Sequence, residues 1–142
     1  MKILATGIAA LTGLFIIYIG LEYLLIPQVA AAAFGAPTWP QRDGTAFLAV
    51  KGVRDIATGL VVFALLLSGH RRALGWAMLA FAFIPVGDMV IVLSQGGPPA
   101  TALGIHGLTA VVVLVGAGLL LRERPTPASA PAPVRTASGT TS

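Results

Sequence analysis

Residues 45–67 read TAFLAVKGVRDIATGLVVFALLL, an apolar run with Lys51, Arg54 and Asp55 set into its first half. A helix needs roughly 20 mostly apolar residues to cross a bilayer, and this run has the length. An ionised group at mid-bilayer costs about 2.5–3.5 kcal/mol on insertion scales. A span that carries such groups has to bury them among other helices, either as a polar site or as the internal glue of a bundle. Reading 45–67 as a span decides the architecture, because it sets the number of crossings and so the side on which each later segment emerges.

Three further runs have spanning length: Ile3 to Ile26, Ala73 to Leu93 and Thr101 to Leu121. Pro27, Pro37 and Pro40 break the chain after the first, Ser68-Gly69-His70-Arg71-Arg72 makes a polar turn, and Gln95-Gly96-Gly97-Pro98-Pro99 is a second breaker. Lys2 in front of the first run and Ala30 to Ala33 behind it outline a cleaved signal peptide. The run is longer than the roughly 7–15 residues of a signal core, however, and Glu22 interrupts its far end, so a genuine span is expected. Beyond Arg124 the chain turns to Pro, Ala, Ser and Thr, which cannot bury an apolar face. The expected organisation is a transmembrane domain over residues 1–124 and a disordered tail over 125–142.

Composition agrees. The 142 residues are 56% hydrophobic and 10% charged, with mean hydropathy +0.91, well above an ordinary soluble domain. The absence of cysteine excludes disulfides, thiolate catalysis and Cys-held metal sites. A net charge of +4 and a pI near 10.4 raise the question of nucleic acid. The basic residues sit at the ends of apolar runs and form no stripe, so they read as topology signals and no nucleic-acid partner is expected. With four spans, Lys2, Arg71-Arg72 and Arg122 with Arg124 fall on one side, whereas the other has only Arg42 beside Asp43. The positive-inside rule places that basic side in the cytoplasm. Trp39 and Tyr23 suit the outer interface and Trp76 the inner one. The expected fold is all-α: an integral four-helix bundle of the cell membrane, with both termini cytoplasmic.

That topology gives each intramembrane charge a depth. Glu22 lies about one turn from the outer end of its helix, and Lys51, Arg54 and Asp55 lie roughly 9–15 Å down theirs. Asp88 is about 10 Å from an outer end, and His106 about one and a half turns. All four helices therefore bring a polar group to one layer in the outer half. Lys51 and Asp55 are i,i+4 neighbours, with Arg54 and Thr58 continuing that face; His106 shares one with Thr109 and Ala110; Tyr18 lies one turn from Glu22. Gly52 and Gly59, Ala9 and Gly13, and Ala73 and Ala77 offer small-residue contacts between helices. Pro85 and Gly87 should kink the third helix and free a carbonyl near Asp88.

Glu22, Asp55 and Asp88 outnumber Lys51 and Arg54, so a low-dielectric site has a proton to place, on His106 or on a carboxylate. Such sharing suits acid–base chemistry. The candidate catalytic residues are Asp55, Asp88, Arg54 and His106, with Lys51, Glu22 and Tyr18 as candidate substrate contacts. Each has a structural alternative: Lys51–Asp55 as an ion pair within one helix, Arg54–Asp88 as a clamp between helices, His106 as a hydrogen-bonded core histidine. No metal is expected, since one intramembrane histidine and scattered carboxylates lack ligand spacing, and no cofactor motif is present.

The segments Phe34-Gly35-Ala36-Pro37, Lys51-Gly52-Val53-Arg54-Asp55-Ile56-Ala57-Thr58-Gly59-Leu60, Gly87-Asp88 and His106 resemble a family of small four-pass membrane proteins known as a domain of unknown function, DUF4267. The likeness runs from the first helix to Leu121. It implies a fold but no reaction, and it implies that Arg54, Asp55, Asp88 and His106 belong together. Three functions compete. The first is a site that binds or transforms a small lipophilic molecule arriving from the membrane lipid, one carboxylate acting as acid and the other as base. The second is proton-coupled transport, which with four helices requires a homo-oligomer. The third is an accessory protein whose charged layer only fixes helix order. A cavity of roughly 300 Å³ or more would favour the first.

Overall fold

The computed structural model describes residues 1–35 and 44–123, and every described element is helical. Helix α1 (Lys2–Leu25) is followed by a short α2 (Pro27–Phe34), then α3 (Gly44–Leu67), α4 (Arg71–Phe81) and α5 (Phe83–Ser94). A single turn, α6 (Pro99–Thr101), leads into a π-helical segment (Ala102–Gly107) and α7 (Leu108–Leu121). The expected bounds of the tail, and Trp39, Arg42, Asp43 and Arg124, lie outside the described residues.

Three stretches are long and apolar enough to cross a membrane: Lys2–Leu25, the continuous Arg71–Ser94 and Pro99–Leu121. No more than 28% of the most apolar window of any of them is buried within the protein, so most of their apolar surface faces outward, as lipid contact requires. Helix α3 matches α1 in length at 24 residues.

Glycine lets α1 and α3 approach closely. A Cβ on Gly52 would lie 2.7 Å from the Gly20 carbonyl oxygen, and one on Gly59 would lie 2.7 Å from that of Gly13. Helices α1 and α3 therefore meet backbone to backbone, as small residues permit between spans. Ala9 is buried beside this contact, as expected. Ala73 is exposed, contrary to expectation. Helix α4 instead packs through Leu74, Gly75 and Met78, and Gly75 abuts Leu120 and Leu121 of α7. The core at this end joins Ala5, Ala9, Val62, Leu74, Met78, Val113 and Leu120.

The third rod is interrupted at Ala82, between α4 and α5. Pro85 has no N–H to return to the Phe81 carbonyl and its ring crowds that turn, so the interruption falls one turn before the proline. Helix α2 was not anticipated. Pro27 opens it at the first helical position, four alanines sustain it, and Gly35 ends it at φ 92°. It lies at one end of the molecule, where a Cβ on Gly35 would press on Thr101 and Val92. At the opposite end, Arg71 binds Glu123 through two nitrogens and donates to Thr6 Oγ1 at 2.9 Å and to the Lys2 carbonyl at 3.3 Å. The starts of α1 and α4 and the end of α7 are thus tied together at one end.

Candidate functional site

The polar layer is built around Lys51. Its Nζ donates to Asp55 Oδ2 at 2.9 Å and stands 3.9 Å from Asp88 Oδ2, so one ammonium bridges α3 to α5. The Tyr23 ring lies 4.9 Å from Nζ and the Phe34 ring 5.9 Å, which places the cation over two aromatic faces. Asp55 is 4% exposed, and burying a carboxylate that deeply requires the paired cation. Asp88 is in a different position. Its side chain keeps 21% exposure, and 3.9 Å is beyond hydrogen-bond length, so no described residue donates a hydrogen bond to it.

His106 is buried in the π-helical segment. Its Nε2 lies 3.0 Å from the Phe34 carbonyl oxygen, and its ring meets the Phe34 ring at 4.9 Å between centroids. A carbonyl only accepts, so Nε2 carries the hydrogen; the neutral ring then has its lone pair on Nδ1. Among the described residues no fully buried side-chain nitrogen or oxygen lacks a partner. Nδ1 has no partner among them, so it is not fully buried, and His106 lines a cavity.

That cavity has a volume of about 90 Å³. Lys51, Asp88 and His106 stand at its polar end, and Ile16, Met78, Phe81 and Ile84 are among its apolar walls. It can hold several waters or the end of a chain, but falls short of the roughly 300 Å³ of a ligand-sized pocket. A groove of about 350 Å³ between α1 and α7 adjoins it. Thr12, Phe15, Thr109 and Val113 line both.

Of the residues singled out from sequence, Lys51, Asp55, Asp88 and His106 come together. Arg54 does not. It is exposed, and its side chain has no partner among the described residues, so the expected Arg54–Asp88 bridge is absent and Lys51 takes its place. The cause is helical phase. Gly52 faces α1, and Arg54, two residues on, is turned about 200° away from it. Tyr18 and Glu22 hydrogen-bond to each other on the outer side of α1 and reach neither Lys51 nor Asp88. Thr58 lines the cavity while returning its hydroxyl to the Arg54 carbonyl.

Two contributors were missed. Tyr23, expected at the outer interface, is 4% exposed and underlies Lys51. Its spacing from Ala9, Gly13 and Gly20 puts it on the buried face of α1, a signal available in the sequence. Phe34 belongs to the unforeseen α2. No group of three His, Asp or Glu side chains among the described residues could hold a metal ion.

Fold and site define a helical protein with three stretches long and apolar enough to cross a membrane and a polar cluster around Lys51. The chain belongs to the family described as Domain of unknown function (DUF4267), which it matches over residues 13–121. No curated protein and no solved structure matches it.

Proposed function

We propose that this is a four-span protein of the cell membrane, α3 being the fourth span, with both termini cytoplasmic. In its outer half a polar site takes up a small lipophilic molecule and can exchange a proton with it. The observation that carries this reading is Asp88: a carboxylate inside an apolar span, without a hydrogen-bond donor, facing an apolar cavity beside Lys51 and His106. Intramembrane ionisable groups are costly and mark function by default. Asp88 and the unpartnered Nδ1 of His106 are the groups able to take or return a proton. Lys51 and Asp55 hold the charge balance around them.

The test is photolabelling of the protein in lipid nanodiscs with a long-chain alkyl diazirine bearing a neutral alcohol head. Met78 is 0% exposed and Pro85 is also buried, so neither meets bulk lipid. Label on either is the expected result. Label confined to exposed residues away from cavity and groove, such as Leu14 and Val111, would reject the reading. Topology is tested separately: in this cysteine-free chain, Ser68→Cys should react with an impermeant maleimide only from the cytoplasmic side, and Gln95→Cys only from the outside. The opposite pattern would invert the proposed orientation.

The accessory reading draws on a specific observation, the small enclosed volume of about 90 Å³. On that reading the Lys51 bridge only joins α3 to α5, and Asp88→Asn would leave the cellular phenotype intact. Proton-coupled transport by a homo-oligomer stays a third possibility, tested by the oligomeric state in native lipid.

A further inference from the structure

Asp55 and Asp88 set two carboxylates against the single ammonium of Lys51, and that ammonium is committed to Asp55 at 2.9 Å. Among the described residues no second lysine or arginine pairs with Asp88. The Nε2 hydrogen of His106 is taken by the Phe34 carbonyl, and Arg54 is turned outward. Asp88 therefore has both an unmet hydrogen bond and an unmet charge, and it faces the cavity.

We infer that the ligand of this site is a single-chain amphiphile with a protonated primary amine head, admitted sideways from the membrane between α1 and α7. This rests on the lipophilic-ligand reading above and adds the head group and the route. A primary ammonium has three N–H donors. One can satisfy Asp88 while another meets Nδ1 of His106 in the form that carries its hydrogen on Nε2, and its charge balances the second carboxylate. A hydroxyl head would supply the hydrogen bond and leave the charge unmet; a carboxylate head would add a third negative charge to the cluster.

The route follows from how α1 and α7 meet. At one level they are in close contact: a Cβ on Gly116 would lie 2.7 Å from Ile8 Cγ2. Further along, the groove lies between Leu11 and Phe15 on α1 and Leu108 and Val112 on α7. Leu11, Phe15, Leu108 and Val112 are all exposed. Their position near the middle of α1 corresponds to the acyl-chain region of a bilayer, deeper than Lys51 and Asp88. Only the side chains lining both spaces separate groove from cavity, and Thr12 and Thr109 are the smaller polar members of that wall. The cavity of about 90 Å³ suits the head and first carbons, and the groove of about 350 Å³ the remainder of one chain.

The experiment is saturable binding of tritiated dodecylamine to the full chain in phosphatidylcholine nanodiscs, with empty discs subtracted. Unlabelled dodecylamine, 1-dodecanol and dodecanoate are the competitors. Dodecanol and dodecanoate should compete at least tenfold more weakly than dodecylamine. Asp88→Asn should weaken amine binding at least tenfold, while Asp88→Glu, which keeps the charge, should largely retain it. Thr12→Trp, which fills the wall, should weaken or slow binding. Equal competition by dodecanol, or amine binding unchanged in Asp88→Asn, would overturn the amine head and leave the lipophilic-ligand reading standing. No saturable binding of any of the three would overturn both. Unchanged binding in Thr12→Trp would overturn the route. Should Asp88→Asn fail to fold, the competitor series on the unaltered protein still decides the head group.

Discussion

Lys51 is the residue on which the polar layer turns, since it alone separates a buried carboxylate from a second one across the helix interface. Replacing it by methionine would leave Asp55 unpaired at 4% exposure. Breaking a buried pair from one side typically costs about 3–5 kcal/mol, so Lys51→Met should melt well below the parent in detergent micelles. Removing both charges, as in Lys51→Met with Asp55→Leu, should recover most of the loss, because a well-packed apolar pair is often no worse than a buried ion pair. A double variant as unstable as the single one would show that Lys51 acts by packing rather than by charge. The neighbouring arginine gives the opposite expectation. Arg54 has no partner among the described residues and is exposed, so Arg54→Leu should fold at least as stably as the parent, and its thermal melt would show this. At His106, nitrogen-15 NMR should report hydrogen on Nε2, held there by the Phe34 carbonyl. A ring with hydrogen only on Nδ1 would contradict the assigned bond.

At the scale of elements, the tight α1–α3 contact and the open π-helical segment make contrasting predictions. A methyl on Gly52 has a backbone oxygen 2.7 Å away, which cannot yield as a flexible side chain would. Gly52→Ala should therefore cost about 1–3 kcal/mol by overpacking. Gly118→Ala meets nothing within 4 Å on α7 and should be neutral or slightly stabilising, since alanine is favoured over glycine in helices by about 1 kcal/mol. Melting curves of the two variants test both. The same elements show what could be read beforehand. The Gly52–Gly59 ridge and an interruption near Pro85 were legible because spacing and proline chemistry act locally. Helix α2 is legible too, with proline at its start, a run of alanines and a closing glycine, but a breaker reading of Pro27 hides it. The π-helical segment was not legible. Ala102, His106 and Ala110 are all buried at steps of four, a spacing that drifts by about 40° per step on an α-helix. The wider π turn keeps them on one face, and nothing in ALGIHG announces it.

For the whole molecule, the two ends differ in kind. One end holds the site under α2, and the other is fastened by Arg71, which links Lys2, Thr6 and Glu123. Depth in the chain was enough to foresee that charges share a layer, but not which cation would bridge it: Lys51 and Arg54 are three residues apart, and only the glycine contact with α1 decides which of them faces inward. For the same reason Arg71 was legible as a basic turn residue but not as a fastener, because its partner Glu123 is 52 positions away. The fastener has a pH signature. The Arg71 hydrogen bond holds the Glu123 carboxyl below its ordinary value of 4.5. A carboxyl whose pKa is depressed on folding lends stability that is fully present above its unfolded value and is lost as pH falls through the folded one. The melting temperature contributed by this group should therefore be level from pH 7 down to about 4.5 and decline below that. Glu123→Gln should melt lower than the parent at pH 7, since a lost charge-assisted hydrogen bond removes about 1–3 kcal/mol of stability. The gap between the two should close as the solution is acidified, because the protonated parent has lost the same interaction. A gap that stayed constant from pH 7 to 3 would mean that the ion pair contributes nothing to holding the ends of α1, α4 and α7 together.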